Sequence, residues 1–429
     1  MSLPGYARYK DSGVEWLGEI PEHWSVSRLK RNVRLLTGKS VRRDHPVALE
    51  NIESWTGRFI PTETEFEGEG VAFDAGDILF GKLRPYLAKV FIAVSSGEAV
   101  GDFHVLRAVN GIDARFARYL MLNREFISIV DGSTFGSKMP RSSWDVVGAV
   151  WVTVPPRREQ GTIASFLDRE TAKIDILIAE QKQLIELLRE KRQAVVSHAV
   201  IKGLDSGAPM KPSGIEWLGD VPEHWELKRL KYLGDAIIGL TYDPSDVVDE
   251  GEGTLVLRSS NVQNEQIVFD DNVYVATSIP EKLITRIGDI LICSRNGSRA
   301  LIGKNATIDQ RSAGLTFGAF MTVFRSKHSE YLSYVLKSQL FEFQSSAFLT
   351  ATINQLTVSS LNSFEVPMPP DTEQRSIAKF LKAETVQLRA LTAQSQTVIE
   401  LLQERRSALI SAAVTGKIDV RGLVASEAA

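Results

Sequence analysis

The chain is written twice, and no other feature constrains its fold as much. Residues 12–24, Ser-Gly-Val-Glu-Trp-Leu-Gly-Glu-Ile-Pro-Glu-His-Trp, return at 213–225 as Ser-Gly-Ile-Glu-Trp-Leu-Gly-Asp-Val-Pro-Glu-His-Trp, ten of thirteen positions identical at an offset of 201. Residues 155–167, Pro-Pro-Arg-Arg-Glu-Gln-Gly-Thr-Ile-Ala-Ser-Phe-Leu, return at 369–381 as Pro-Pro-Asp-Thr-Glu-Gln-Arg-Ser-Ile-Ala-Lys-Phe-Leu at an offset of 214. The likeness runs on through Ile185–Leu188 against Ile399–Leu402 and Ala199-Val200 against Ala413-Val414. A period of about 200 residues is too long for a solenoid. It reads as a tandem copy of a half-protein, which predicts a pseudo-two-fold object resembling a homodimer joined by a linker. Gly203–Pro212, rich in Gly, Pro, Ser and Asp, is that linker by composition.

Each Pro-Pro pair ends a strand-like run, Ala149–Val154 or Phe364–Val366, and opens a stretch free of proline. Apolar spacing there is helical. Ile174, Ile178, Gln181, Ile185, Leu188, Arg192, Val195 and Ala199 alternate in steps of four and three, and Leu388, Thr392, Ser395, Ile399, Leu402, Arg406, Leu409 and Ala413 repeat the steps. This is a heptad seam, and some 44 helical residues make a rod of roughly 65 Å. The natural cover for one seam is the other copy, running antiparallel; the alternative is that each helix packs on its own domain. The polar seam residues Gln181, Thr392, Ser395, Arg192 and Arg406 either fix register or turn to solvent through helix drift.

Between the repeated flanks lie two diverged blocks, 25–154 and 226–368. They share the anchor Gly76-Asp77-Ile78-Leu79 against Gly288-Asp289-Ile290-Leu291. β-rich runs such as Lys89–Val94 and Thr254–Leu257, with helices expected at Ala114–Val130 and Tyr331–Ser345, make each an α+β domain. Block one opens with Arg28, Lys30, Arg31, Arg34, Lys39, Arg42 and Arg43 before its first acid, Asp44. It later carries Gly81-Lys82-Leu83-Arg84-Pro85-Tyr86 and Ser137-Lys138-Met139-Pro140-Arg141, while block two carries Arg295-Asn296-Gly297-Ser298-Arg299 and Lys304-Asn305. Basic Gly/Asn/Ser loops suit phosphate and base-edge contacts, but also occur as solvated surface.

Composition sets the remaining bounds. The net charge of −3 excludes a histone-like polycation, and 43% hydrophobic residues suffice for ordinary cores. A single cysteine, Cys293, excludes an internal disulfide or a cysteine-cluster metal site, as expected of a reducing, cytoplasmic setting. No signal peptide or membrane span is expected. There is no phosphate loop, no His-Glu-x-x-His, no amino-methyltransferase Asn/Asp-Pro-Pro-Tyr/Phe and no nucleophile elbow. The repeated His23 and His224 are expected to pack or hydrogen-bond rather than catalyse. No catalytic residue, metal or cofactor is assigned, and a fused methyltransferase is disfavoured.

Together, the Glu-Trp-Leu-Gly-x-Ile/Val-Pro-x-x-Trp lead-in, the Gly-Asp-Ile-Leu anchor, the Pro-Pro-x-x-Glu-Gln-x-x-Ile-Ala-x-Phe-Leu helix entry and their duplication resemble the DNA specificity subunit of type I restriction–modification enzymes, from about Tyr9 to Asp419. The resemblance implies an α+β fold. Two mixed globular target recognition domains are separated by two long helices in an antiparallel coiled coil, with a pseudo-two-fold duplication. Its parts would be 1–154, lead-in and first recognition domain; 155–202, first spacer helix; 203–212, linker; 213–368, lead-in and second recognition domain; 369–416, second spacer helix; and 417–429, a tail. Each recognition domain would read half of a bipartite site in double-stranded DNA. Two methyltransferase subunits, which bind S-adenosylmethionine, and motor-nuclease subunits would assemble around a chain that has no activity alone. The loops Gly81–Lys89, Ser133–Arg141, Ser294–Lys304 and Thr350–Gln355 would face DNA. The candidate contacts are Arg42, Arg43, Lys82, Arg84, Tyr86, Lys138, Arg141, Arg295, Asn296, Arg299, Lys304 and Asn354. Block two departs from the family form, with Asn296-Gly297-Ser298 where block one has Arg84-Pro85-Tyr86. The alternative reading is a non-catalytic, two-headed protein scaffold with no DNA sequence preference.

Overall fold

The computed structural model describes residues 3–40, 45–62, 69–136, 138–215, 218–348 and 355–423. It divides into two compact units, Met1–Lys182 with Gln396–Ala429, and Gln183–Ser395. The division falls inside both long helices, Arg157–Lys202 and Asp371–Val414. Each unit therefore holds the beginning of one long helix and the end of the other.

In the first unit a four-stranded antiparallel sheet has the order Val33–Leu36, Phe103–Ala108, Ile78–Gly81, Val90–Ile92. Its central strand is buried on both faces, and the period of two explains how. Ile78 and Phe80 pack with Phe116, Leu120 and Phe126 of the helices Ala114–Met121 and Arg124–Gly132. Leu79 points the other way, into a cluster with Val47, Ile52, Phe73 and Phe91 beneath a second small sheet. The second unit repeats this. Its sheet runs Asp235–Ile238, Met321–Arg325, Ile290–Cys293, Asn305–Thr307. Ile290 and Ile292 face Tyr331 and Leu332, while Leu291 and Cys293 face Leu255, Val256 and Phe317. Buried in this way, the Cys293 thiol has its pKa pushed up by desolvation.

Both blocks begin and end on neighbouring strands. Ser25–Arg28 pairs antiparallel with Trp151–Val154, Ser25 opposite Val154. Glu226–Arg229 pairs with Glu365–Met368, Glu226 opposite Met368. The lead-in before each block is a small antiparallel ribbon, Tyr9–Asp11 on Glu19–Pro21 and Met210–Pro212 on Asp220–Pro222. The expected linker therefore gives up its last three residues to a strand.

The helices expected at Ala114–Val130 and Tyr331–Ser345 are each broken in two. The Asn123 side chain accepts from the amides of Glu125 and Phe126 and starts the new helix Arg124–Gly132. In the second unit Ser338 stands at the break between Ser329–Val335 and Gln339–Phe348. Asn123 thus caps a new helix in place of a continued one, while the Ser338 hydroxyl donates back to the Val335 carbonyl at 2.6 Å and closes the helix before it.

Within the first unit Ile163, Ala164, Phe166 and Leu167 of the first long helix share a core with Ile410, Ala413 and Val414 of the second. Within the second unit Val196, Ala199 and Val200 share one with Ile377 and Leu381. The sixteen seam positions read from the sequence are all buried or half-buried, with Ile174, Ala199, Leu388, Ser395, Ile399, Arg406 and Ala413 the deepest. Among the described residues no helix is long and apolar enough to cross a membrane.

Candidate nucleic-acid interface

The site is built outward from the Gly-Asp-Ile-Leu anchor. Gly76 and Gly288 take φ of +90° and +88°, where a side chain is strained. The aspartate that follows is buried and closes its own turn, Asp77 accepting from the Asp74 amide and Asp289 from the Arg286 amide at 2.8 Å each. Each carboxylate also takes an arginine bidentately from the adjacent strand. Arg107 lies 2.8 and 2.6 Å from Asp77, and Arg325 lies 2.8 and 2.7 Å from Asp289. These bonds raise both guanidinium pKa values. The anchor thus locks one end of the central strand, and the candidate loops leave from the other.

In the first unit two loops distant in sequence are tied by backbone. The Arg84 amide donates to the Pro140 carbonyl at 2.8 Å and the Ser142 amide to the Lys82 carbonyl at 2.9 Å, with bridges from Arg141 to Leu83 and Phe135. Asp102 sits beneath, 3.1 and 3.0 Å from the Arg141 guanidinium and 3.7 Å from Lys82 Nζ. Arg141 is thereby oriented, its pKa raised by the Asp102 hydrogen bond. Arg84, Tyr86, Phe135, Lys138 and Met139 are exposed along the joined edge. Arg84 holds φ +51° and heads a short 3-10 turn, Pro85–Leu87.

His104 supports this edge from below. Its Nε2 lies 3.2 Å from the Ser142 carbonyl, and its ring lies against Phe80 and Trp144. Burial, the largest cause, pushes its pKa down from 6.5 to about 4. The folded state therefore binds fewer protons than the unfolded state between those two values. Stability is full above about pH 6.5 and lost as pH falls towards 4. The difference in stability between wild type and His104→Gln is expected to shrink by about 3 kcal/mol across that window. Urea midpoints of both proteins against pH check this; parallel curves would contradict it.

The second unit joins its loops in the same way. The Leu356 amide donates to the Ser294 carbonyl at 2.7 Å, and Arg295 bridges Gln355. The backbone thus places Ser294–Arg295 where the first unit has Lys82–Leu83, despite the sequence departure. The charge pattern beneath is different. In place of Asp102, Phe320 accepts the Ser294 and Arg295 amides at its carbonyl, and the Arg295 guanidinium lies 5.1 Å over its exposed ring. Arg299 is exposed, with Nη2 3.5 Å from the Ser346 carbonyl. Asn296 and Lys304 turn inward, each to Ser259, at 3.2 and 3.4 Å. Lys304 has the geometry of Lys89, which holds the Leu49 carbonyl at 2.7 Å in the first unit. Arg42, Arg43 and Asn354 lie outside the described residues.

Composition and spacing did not single out Asp102, Phe135 or Phe320. An aromatic residue flanked by glycine in a polar loop, as at Phe135-Gly136, was the available signal. Lys30, Arg31 and Arg34 of the basic opening run line a separate shallow groove with Asn110 and Trp144, and no carboxylate is among its lining residues.

The helix entry is explained by a second repeated network. Glu159, in the first turn of its helix, accepts from Tyr6 Oη, from His23 Nε2 at 2.8 Å and from Trp24 Nε1 at 3.1 Å. Glu373 accepts from His224 Nε2 at 2.8 Å and Trp225 Nε1 at 3.1 Å. The neighbouring glutamine ties the helix to the block: Gln160 takes the Asp113 amide at 2.7 Å and gives to the Pro155 carbonyl at 2.8 Å. Gln374 does so with His328 at 2.9 Å and the Pro369 carbonyl at 2.7 Å. His23 and His224 therefore have the hydrogen-bonded role expected of them.

Residues 222–401 match the family described as the type I restriction modification DNA specificity domain. The type I restriction enzyme MjaVIII specificity subunit of Methanocaldococcus jannaschii is 22% identical over 94% of this chain and 95% of its own length. The chain is similar to type I specificity subunits along nearly its whole length. The EcoKI specificity subunit of Escherichia coli is 28% identical over 47% of this chain and 44% of its own. A chain from a solved type I R-M system superposes with a TM-score of 0.66 at 19% identity, covering 92% of this chain and 98% of that one, which establishes a shared fold. The family match starts in the second lead-in, at Pro222, and ends inside the second long helix. It thus contains the second anchor, the second loop pair and the second helix entry of this chain.

Proposed function

We propose that this chain is the sequence-reading subunit of a type I restriction–modification assembly, each block contacting one half of a bipartite site in double-stranded DNA. The observation that carries the reading is the recurrence of one tied loop pair in both blocks, with different side chains on it. A common backbone holds Lys82 and Arg141 over Asp102 with Arg84 and Tyr86 exposed in the same loops in one case, and Arg295 over Phe320 with Arg299 exposed in the same loop in the other. The same backbone ties with unlike side chains suit a protein that reads two different half-sites.

In this reading 1–154 and 213–368 are the reading parts, and 155–202 and 369–416 are spacer helices pairing as an antiparallel coiled coil within a pseudo-two-fold duplication. A rod of roughly 65 Å is long enough to hold two readers about one DNA turn, or 34 Å, apart. The long helices also offer apolar side chains to partners. Ile176, Leu177, Val398 and Leu401 are exposed in the first unit, and Leu184, Leu187, Val386 and Leu391 in the second. These are the proposed seats of two methyltransferase subunits, which carry the chemistry that this chain lacks; motor-nuclease subunits complete the assembly.

The test is binding of the reconstituted complex to its site. Arg84→Ala and Tyr86→Ala are each expected to weaken binding about tenfold, the size of one lost base or phosphate contact, while leaving the melting temperature unchanged. Affinity unchanged in both variants would count against the loop assignment.

A further inference from the structure

The hairpin Val262–Gln263 on Gln266–Ile267 turns through Asn264 and Glu265, at φ +49° and +62°. A two-residue turn of this kind demands positive φ at both positions and favours Asn-Gly. Asn264 fits. Glu265 stands where glycine is unstrained, so a side chain is kept there against the backbone preference. Its carboxylate gathers three cations. Oε1 is 2.7 Å from Arg192 Nη2, and Oε2 is 3.0 Å from Arg389 Nη2 and 4.0 Å from Lys337 Nζ. Arg192 belongs to the second half of the first long helix, Arg389 to the first half of the second, and Lys337 to the break between the two short helices. Burial pushes the Lys337 ammonium pKa down, and Glu265 opposes that shift.

The first unit makes the same connection with different groups. Its loop 53–58, closed by the Ile52–Phe59 bridge, carries Trp55 at φ +66°. The Trp55 carbonyl takes Arg406 Nη1 at 3.0 Å, and Arg406 Nε is 2.9 Å from Asp175. Arg406 and Arg192 occupy aligned positions of the duplicated helix, as do Asp175 and Arg389. The same helix arginine thus grips a strained hairpin tip in both units.

We infer that each tip is an orienting clasp: Glu265 in one unit and the Trp55 carbonyl in the other fix the tilt of the reading block on the helices, and so set how strictly half-site spacing is enforced. Glu265 is a positioning residue that touches no base. The inference rests on the proposed function, and the experiment separates the two.

The full-length chain, reconstituted with its methyltransferase subunits, is given a DNA library with randomised half-sites and varied spacers, and methylation is read by sequencing. E265G removes the carboxylate and relieves the backbone; E265Q keeps the shape without the charge and decides the matter should E265G not fold. Both variants are expected to select the wild-type bases. The preference for the native spacing over one base pair more is expected to fall about tenfold in E265G, the scale of one lost charge-assisted contact, and less in E265Q. A spacing profile unchanged in both variants overturns the clasp. Altered base choice at normal stability would make Glu265 a reader and also overturn it. A wild-type complex with no sequence preference overturns the proposed function itself, and the clasp with it.

Discussion

Glu159→Ala is expected to destabilise the first unit by about 3–5 kcal/mol, the usual result of removing one member of a buried, charge-assisted network. The carboxylate is 6% exposed and takes Tyr6, His23 and Trp24 at once. It also stands in the first helical turn, where the helix dipole favours a negative charge. Alanine leaves the Trp24 N–H and the Tyr6 hydroxyl without an acceptor in the core. Tyr6 is committed to that site: burial and the Glu159 hydrogen bond together push its pKa far above the usual tyrosine range. Glu373→Ala is expected to cost less, about 1–3 kcal/mol, as a partly solvated charged hydrogen bond does. Glu373 has two such partners and is 26% exposed, and Gly207 occupies the position aligned with Tyr6. Denaturant unfolding of the two variants checks the order; equal losses would mean that the Tyr6 contact contributes nothing.

Features that repeat or keep a strict period were legible in the sequence. The two long helices begin at the Pro-Pro pairs because Glu159 and Glu373 bind the lead-in while Gln160 and Gln374 bind the block, so the motif carries its own structural reason. The central strand was legible as the anchor because Ile78 and Leu79 are both buried, on opposite faces. Features that depend on distant partners were hidden. Arg192 and Arg406 fall on the heptad seam, and spacing offered only register-setting or drift to solvent; neither reading contained a strained hairpin tip. Asn296 and Lys304 look like free loop groups until Ser259 is brought beneath them. Phe320 precedes a strand and reads as core, yet its ring is exposed under Arg295. Asn123 and Ser338 interrupt apolar-periodic runs, and periodicity cannot register a side chain that restarts a helix, as Asn123 does, or closes one, as Ser338 does through the Val335 carbonyl.

If the proposed function holds, exchanging residues 25–154 for the corresponding block of a type I specificity subunit is expected to change one half of the recognised site completely and leave the other half untouched. The strand pairing makes such an exchange physically reasonable. Ser25 lies opposite Val154 and Glu226 opposite Met368, so each block enters and leaves its unit on adjacent strands. Chain ends held close together are where whole domains are replaced with least disturbance. The anchor aspartate, the tied loops and the exposed Arg84 and Tyr86 all travel inside the exchanged segment. The second block, both long helices and Glu265 remain. The decisive measurement is methylation mapping of genomic DNA from cells carrying the native or the exchanged chain with the same methyltransferase. One half-site replaced, with the other half-site and the spacer retained, is the predicted result; both halves altered, or neither, would contradict it.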